Sequence, residues 1–184
     1  TLITTPNGYQ ILIDGGRDLS VLGELKKYIS YFDTSIDMVI LTHADGDHLT
    51  GLLPVFEKFN VKHVVTSSYV NDSVLEKIFE EKVSEEKVVR HFVSSGDSFQ
   101  VDGALFHVLH PKKNILTYTK DINNASVTFI MTYGEASFLF TGDLSSTYEP
   151  SLLVKQLPKK ISVYKAGHHG SNTSSGELLL SYIR

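Results

Sequence analysis

The stretch Ile36-Asp37-Met38-Val39-Ile40-Leu41-Thr42-His43-Ala44-Asp45-Gly46-Asp47-His48 decides the fold. Its first six residues are apolar apart from Asp37, as expected of a strand buried on both faces. The remainder leaves that strand with four potential metal ligands, His43, Asp45, Asp47 and His48. Side chains two residues apart point the same way in extended chain, so His43, Asp45 and Asp47 are expected to converge. A turn at Gly46 would let Asp47 and His48 aim at a second point. Two imidazoles and two carboxylates suit zinc, manganese or iron. The competing reading is a polar loop that happens to contain two histidines.

Toward the N-terminus, residues 2–5 and 9–13 read as two strands joined by Pro6-Asn7-Gly8, which has the residue types of a tight turn. Asp14-Gly15-Gly16 stops the second strand. It is no dinucleotide fingerprint, because Gly-x-Gly-x-x-Gly is absent; it reads as a turn near the ligand loop, with Asp14 supporting the ligands. Val21, Leu22, Leu25, Tyr28, Ile29 and Phe32 recur at helical spacing and predict one amphipathic helix. Toward the C-terminus, helices are expected at 52–59 and 73–83 and a strand at 61–65, an alternation of strand and helix. Strands at 87–93, 98–101, 105–109, 127–133 and 137–140 then predict a mostly antiparallel section. A helix at 149–156, a strand at 161–165 and a helix from 175 onward follow. Two packed sheets with helices on their outer faces are the natural architecture.

Two later segments repeat the strand-then-ligand scheme. Phe138-Leu139-Phe140-Thr141-Gly142-Asp143 delivers a carboxylate at a strand end, although Asp143 also suits a helix cap. Val163-Tyr164-Lys165-Ala166-Gly167-His168-His169-Gly170-Ser171 ends in a histidine pair, readable as metal ligands or as a buried polar pair. Three strand ends carrying such residues predict a metal site at one edge of the sheets. His63, His91, His107 and His110 read as structural or surface imidazoles. Lys155, Lys159, Lys160 and Lys165 form the densest basic group, read as a solvated face with a phosphate track as the alternative.

The 184 residues suit a single domain spanning 1–184. Hydrophobic residues at 41% and charged residues at 21% place the chain among ordered globular proteins. No apolar run approaches the roughly 20 residues of a membrane-spanning helix, and the first residues lack the order of a secretory signal. Zero cysteines exclude a disulfide framework, a zinc finger and a thiol nucleophile. A net charge of -4 argues against gripping nucleic acid by bulk electrostatics. It leaves nucleic acid open as a substrate, since metal-dependent nucleases concentrate acidic ligands in their sites.

The order and spacing of these segments resemble the metallo-β-lactamase superfamily, whose His-x-His-x-Asp-His loop is matched except that Asp45 stands in the second histidine position. Within it the chain looks most like the metallo-β-lactamase-like domain of the ComEC DNA-internalisation competence family. The resemblance rests on Thr5-Pro6-Asn7-Gly8, Leu12 to Gly16, Leu41 to Gly51, Asn124-Ala125-Ser126-Val127, Leu139 to Asp143 and Gly167 to Ser171. It implies an αββα sandwich of two mixed sheets, trimmed at both termini, and one or two divalent ions, zinc or manganese. It implies His43 and Asp45 as ligands on a first metal side, Asp47, His48 and His168 on a second, and Asp143 as a bridge. The usual third histidine has no counterpart; Asn123 and Asn124 occupy its neighbourhood.

By this resemblance the leading expectation is a metal-dependent phosphodiesterase acting on DNA, single-stranded DNA above all. Asp47 would orient the attacking water, His169 would supply a proton to the leaving oxygen, and Ser171 and Asn124 would bind substrate. A hydrolase of lactones, thioesters or lactams is the alternative, and a non-catalytic, metal-poor binding module the third. The resemblance also implies fusion to or association with a membrane DNA channel, in which case the domain lies on the extracytoplasmic face, and otherwise in the cytoplasm.

Overall fold

The structure, a computed structural model, describes residues 1–69, 72–114, 120–153, 157–158 and 160–183. Its contacts divide into two compact units, Thr1–Thr66 with Val70–Phe92, and Ser67–Tyr69 with Val93–Arg184.

The first unit holds a five-stranded sheet in simple sequence order: β1 (Leu2–Thr4), β2 (Gln10–Ile13), β3 (Ser35–Ile40), β4 (Asn60–Thr66) and β5 (Val89–Phe92). The β1–β2 hairpin turns where Gly8, at φ +87°, donates its N–H to Thr5 O at 2.9 Å, a left-handed conformation that glycine adopts without steric cost. The other strands are parallel, joined through helices α1 (Ser20–Leu25), α2 (Gly46–Leu49), α3 (Leu52–Lys58) and α4 (Val74–Glu85). Ser73 starts α4 by accepting the Glu76 N–H at 3.1 Å, the usual service of an N-cap hydroxyl. Leu12, Val39 and Val64 from the strands and Leu41 just after β3 pack with Leu49, Leu52, Val55, Phe56 and Phe79 from the helices. This core fixes the ends of β2 and β3, from which the ligand loop departs.

Two expectations are corrected here. The predicted long helix stops at Leu25, and Tyr28 and Phe32 are 74% and 90% exposed. The apolar period continues, but past α1 only Ile29 is buried, while Leu25 is buried and Val21 and Leu22 pack half-buried against the core within the helix, and Asp33 then turns the chain into β3 by accepting Ser35 N–H at 3.1 Å. The strand at 87–93, expected in the antiparallel section, is β5, parallel to β4 in the first sheet. The helix α4 between them supplies the crossover that parallel pairing requires, a choice of partner that a four-residue strand does not encode.

The second unit holds β6 (Ser98–Val101), β7 (Ala104–His110), β8 (Thr128–Tyr133), β9 (Ala136–Phe140) and β10 (Val163–Lys165), in the order β10-β9-β8-β7-β6. All pairs are antiparallel except β10 on β9, so both sheets are mixed, as expected. Asp102-Gly103 and Gly134, all at positive φ, make the hairpin turns. Helices α5 (Pro150–Leu153) and α6 (Glu177–Tyr182) bury Leu152 and Leu179 against Leu109, Ile130 and Leu139. The last three residues of the helix expected at 149–156 lie outside the described residues.

Candidate metal centre

In the first unit the ends of β2 and β3 are tied by one aspartate. Asp14, at φ +56°, donates its N–H to Ile40 O at 3.0 Å, and its Oδ1 accepts the Thr42 N–H at 2.8 Å. The Thr42 hydroxyl donates to the same carboxylate, 2.9 Å from Oδ2. Asp14 Oδ2 also lies 2.8 Å from His48 Nδ1, and Thr42 Oγ1 lies 3.0 Å from His43 Nδ1. In the neutral form of each ring, with the threonine proton on Asp14, the imidazole proton sits on Nδ1 and leaves Nε2 as the ligand atom. A carboxylate bonded to the far nitrogen of a histidine is the arrangement that orients metal-binding imidazoles and raises their basicity. Both rings are buried, with centroids 4.1 Å apart. Burial pushes the Asp14 carboxyl up, but the His48 hydrogen bond and charge, the Thr42 amide and His43 more than offset it. The net pKa lies below the ordinary carboxylate range, so Asp14 stays an anion.

The loop is not extended throughout, as the alternation argument assumes. From Gly46 it is the helical turn α2, and Asp45 is its exposed N-cap, accepting the Gly46 N–H at 2.6 Å. Asp47 sits half-buried in that first turn, its Oδ1 4.0 Å from His48 Nε2. The turn is seated by backbone, since Gly15 donates its N–H to His48 O at 2.7 Å and Gly51 to Gly16 O at 2.8 Å.

In the second unit Asp143 lies in the turn after β9, well before α5 begins, so it caps no helix. Its N–H is held by Ser126 Oγ at 3.0 Å and its side chain is 3% exposed. Asp143 Oδ2 is 3.8 Å from His168 Nε2 and 3.7 Å from His169 Nε2. These separations exceed hydrogen-bond length but are of the order reached by two donors sharing one ion through bonds of roughly 2 Å. The two rings are 33% and 51% exposed, which removes the reading as a buried pair. His168 and His169 both adopt positive φ ahead of Gly170, two consecutive strained residues of the kind that persist where surrounding structure enforces them. His168 Nδ1 is 2.9 Å from Thr173 Oγ1, which Ser171 Oγ meets in turn at 3.0 Å.

Asn124 is buried with its amide engaged, donating to Asp121 Oδ2 at 3.0 Å and accepting the Ser145 N–H at 3.3 Å. The other histidines are placed elsewhere: His63 pairs with His91 at 3.1 Å, His107 with Ser98 Oγ at 2.7 Å, and His110 with Asn124 O at 2.8 Å. Of the basic group, Lys155 and Lys159 lie outside the described residues, and Lys160 is exposed. Thr42 and Ser126 fall within segments that carry the family resemblance, but their supporting roles, like that of Thr173, are not marked by residue type. Nothing distinguishes such hydroxyls from surface ones until their partners are known.

Two buried imidazoles steered to Nε2 in the first unit, and a buried carboxylate flanked by two imidazoles in the second, are each donors of the kind suited to a borderline divalent ion. The family description "Metallo-beta-lactamase superfamily" matches residues 1–184. The chain belongs to the metallo-β-lactamase superfamily. Its relatives include ComE operon protein 3 of Bacillus subtilis, 33% identical over 150 residues, which cover 81% of this chain and 19% of that protein. Recombination protein 2 of Haemophilus influenzae is 29% identical, covering 97% of this chain and 21% of its own length. Competence protein ComA of Neisseria gonorrhoeae is also 29% identical, covering 92% and 25%. The resemblance to the competence family is therefore borne out, and the chain spans about a fifth to a quarter of these relatives. Among solved structures, zinc-bound PqqB from Methylobacterium extorquens matches with a TM-score of 0.61 at 14% identity, covering 89% of this chain and 58% of that one. That match shows the metallo-β-lactamase fold. The superfamily consists in general of metal-dependent hydrolases that bind divalent ions.

Proposed function

We propose that residues 1–184 form one metal-dependent hydrolase domain that cleaves phosphodiester bonds of DNA, with the single strand as its preferred form. The observation that carries a hydrolytic metal centre is the pair of preorganised donor sets, His43 and His48 steered by Asp14 and Thr42, and Asp143 flanked by His168 and His169. Similarity to a protein named for competence supports DNA as the substrate. One or two divalent ions, zinc or manganese, would be held by His43, Asp45, Asp47, His48, Asp143 and His168. When bound, a divalent ion makes water a nucleophile near neutral pH and offsets charge building on phosphorus.

The chain's own residues supply the rest. Asp47, half-buried beside His48, accepts a proton from the attacking water. His169, the more exposed of its pair, donates a proton to the leaving oxygen. Ser171 and Asn124 bind substrate, Ser171 through a phosphate oxygen, and Asn124 also holds the turn after Asp143 by accepting the Ser145 N–H. Association with a membrane DNA channel belongs to the same proposal; among the described residues no helix is long and apolar enough to cross a membrane.

The test is turnover of single- and double-stranded oligonucleotides under zinc, manganese and magnesium, beside a panel of lactones and thioesters. DNA cleavage should be abolished by chelator and reduced at least about 100-fold in Asp47→Ala, the scale seen when metal-site partners are lost. Hydrolysis of the panel with DNA left intact would transfer the reading to a small-molecule hydrolase, and failure to take up any metal would leave a binding module.

A second expected result concerns asymmetry. Asp47, His48, Asp143 and His168 give one side four donors including two imidazoles, whereas the other has His43, Asp45 and a shared Asp143. Oxygen in place of nitrogen makes the latter harder, so it should hold zinc less tightly and tolerate manganese or magnesium better. Asp45→His should raise zinc occupancy there. The same change removes the cap on α2, so it should also cost about 1 kcal/mol of stability. Calorimetric titration of both proteins checks this, and two equivalent tight zinc sites in the parent would contradict it.

A further inference from the structure

Glu149, a residue the metal chemistry does not use, is 2% exposed. A carboxylate so placed needs strong partners. It has them in the backbone that follows the histidine pair, accepting the Ser175 N–H at 2.6 Å through Oε1 and the Gly176 N–H at 2.8 Å through Oε2. Hydrogen bonds to an ionised acceptor are shorter and roughly twice as strong as neutral ones. The fit is close on the other side as well, since a Cβ on Gly176 would stand 3.2 Å from Oε2.

What Glu149 fixes is passed on. Ser175 is held at φ +58°, off the region most residues prefer. In that conformation its Oγ accepts the Gly167 N–H at 3.1 Å and lies 2.8 Å from the Tyr164 hydroxyl. Gly167 precedes the left-handed residues His168, His169 and Gly170. It is itself confined, because a Cβ there would stand 2.9 Å from Thr141 Oγ1 and 3.1 Å from Ser174 Cβ. His168 then closes the circuit by donating its N–H to Gly142 O at 3.1 Å, next to Asp143. The histidine loop is thus clamped at both ends, in front by Gly142 on His168 and Ser175 on Gly167, and behind by Glu149 on Ser175 and Gly176.

We propose that Glu149 is a positioning residue of the metal centre, holding His168 and His169 against Asp143 through Ser175 and Gly167. The inference rests on the reading of Asp143 and His168 as metal ligands. Left-handed backbone at two consecutive histidines persists only where the surroundings over-determine it, and Glu149 is the buried charge that does so from the C-terminal side. In Glu149→Gln an NH2 group replaces one acceptor opposite a backbone N–H, so one clamp bond becomes a clash of donors. Ser175→Ala removes the relay hydroxyl while leaving the carboxylate in place.

The test uses chelator-stripped protein titrated with cobalt(II), followed by the visible d–d bands, with melting temperature and far-ultraviolet dichroism recorded alongside. Glu149→Gln should weaken cobalt affinity about 10-fold, the lower end of the range for supporting partners of ligands. It should also alter the band shape, and Ser175→Ala should follow in the same direction by a smaller factor. Should Glu149→Gln fail to fold, Ser175→Ala decides the matter alone. Parent-like cobalt affinity and bands in the folded variants, with or without a lower melting temperature, would assign Glu149 a purely structural role and overturn the proposal. His168→Ala separates the two levels. If it weakens cobalt binding while Glu149→Gln and Ser175→Ala do not, only the positioning role falls; if it leaves binding unchanged, the ligand assignment falls as well.

Discussion

Replacing Asp143 with alanine is expected to reduce hydrolysis by more than about 100-fold, the upper range for losing a mere supporting partner, and to strip the protein of bound metal. The reasoning starts from burial. Asp143 is 3% exposed, with two imidazole nitrogens 3.8 and 3.7 Å from one of its oxygens, a placement that suits sharing an ion better than bonding the rings. If Asp143 bridges, its loss empties both metal positions, whereas His168→Ala chiefly weakens one. The metal-free protein should melt at the parent's temperature or higher, because a buried carboxylate costs desolvation that only a strong partner offsets. The metal-loaded comparison should reverse the order. Metal at about 100 times its Kd adds about 2.7 kcal/mol to the parent, and the variant gains none of it. Asp143→Asn keeps the shape and should give the same pattern in milder form. A variant that still binds two ions, or one already unfolded without metal, would remove Asp143 from the centre.

The parts of this site legible in the sequence are those whose chemistry and neighbours are local. His43, Asp45, Asp47 and His48 announce themselves because four ligand-type residues share one loop after an apolar strand. Asp143 and the His168–His169 pair follow by the same sign, and Asp14 by its place in a turn after β2. Asp45 shows the limit of residue type: aspartate is both a ligand and a favoured N-cap, and only the φ of -82° and ψ of 156° show that it caps α2. Glu149 is invisible there, because a lone glutamate before a helix looks like any solvated charge until Ser175 and Gly176, 26 and 27 residues later, are seen to donate to it. The fold divides in the same way. Alternation and turn residues locate the strands within about two residues, but they assign β5 to the wrong sheet, since pairing is settled by what lies between strands. The helix read across Tyr28 and Phe32 shows that apolar spacing records a potential face, not whether anything covers it.

Gly51→Ala should be among the most destabilising single methyl additions in the first unit, and intrinsic preference argues the opposite. Gly51 has φ -69° and ψ -17°, a right-handed conformation in which alanine restricts the unfolded chain and usually gains about 0.4–1 kcal/mol. Space decides against it. A Cβ at Gly51 would stand 2.0 Å from Gly15 O, and one at Gly15 would stand 2.3 Å from Leu52 N. The two glycines face each other backbone to backbone, so no flexible side chain can yield. Relief requires parting the turn after β2 from the junction of α2 and α3, which breaks the bonds Gly15 N–H to His48 O and Gly51 N–H to Gly16 O. Overpacking costs about 1–3 kcal/mol and the two hydrogen bonds about 1 kcal/mol each, so the net loss should be about 2–4 kcal/mol after the entropic gain. The same displacement moves Asp14 relative to His48, so zinc affinity should fall together with stability. Gly23→Ala is the matched control: it lies within α1, where an added methyl would meet no atom within 4 Å, and should stabilise by up to about 1 kcal/mol. Urea denaturation of the two variants beside the parent tests the contrast. Equal midpoints for Gly51→Ala and Gly23→Ala would mean that the ligand loop is not seated on the β2 turn through this glycine pair.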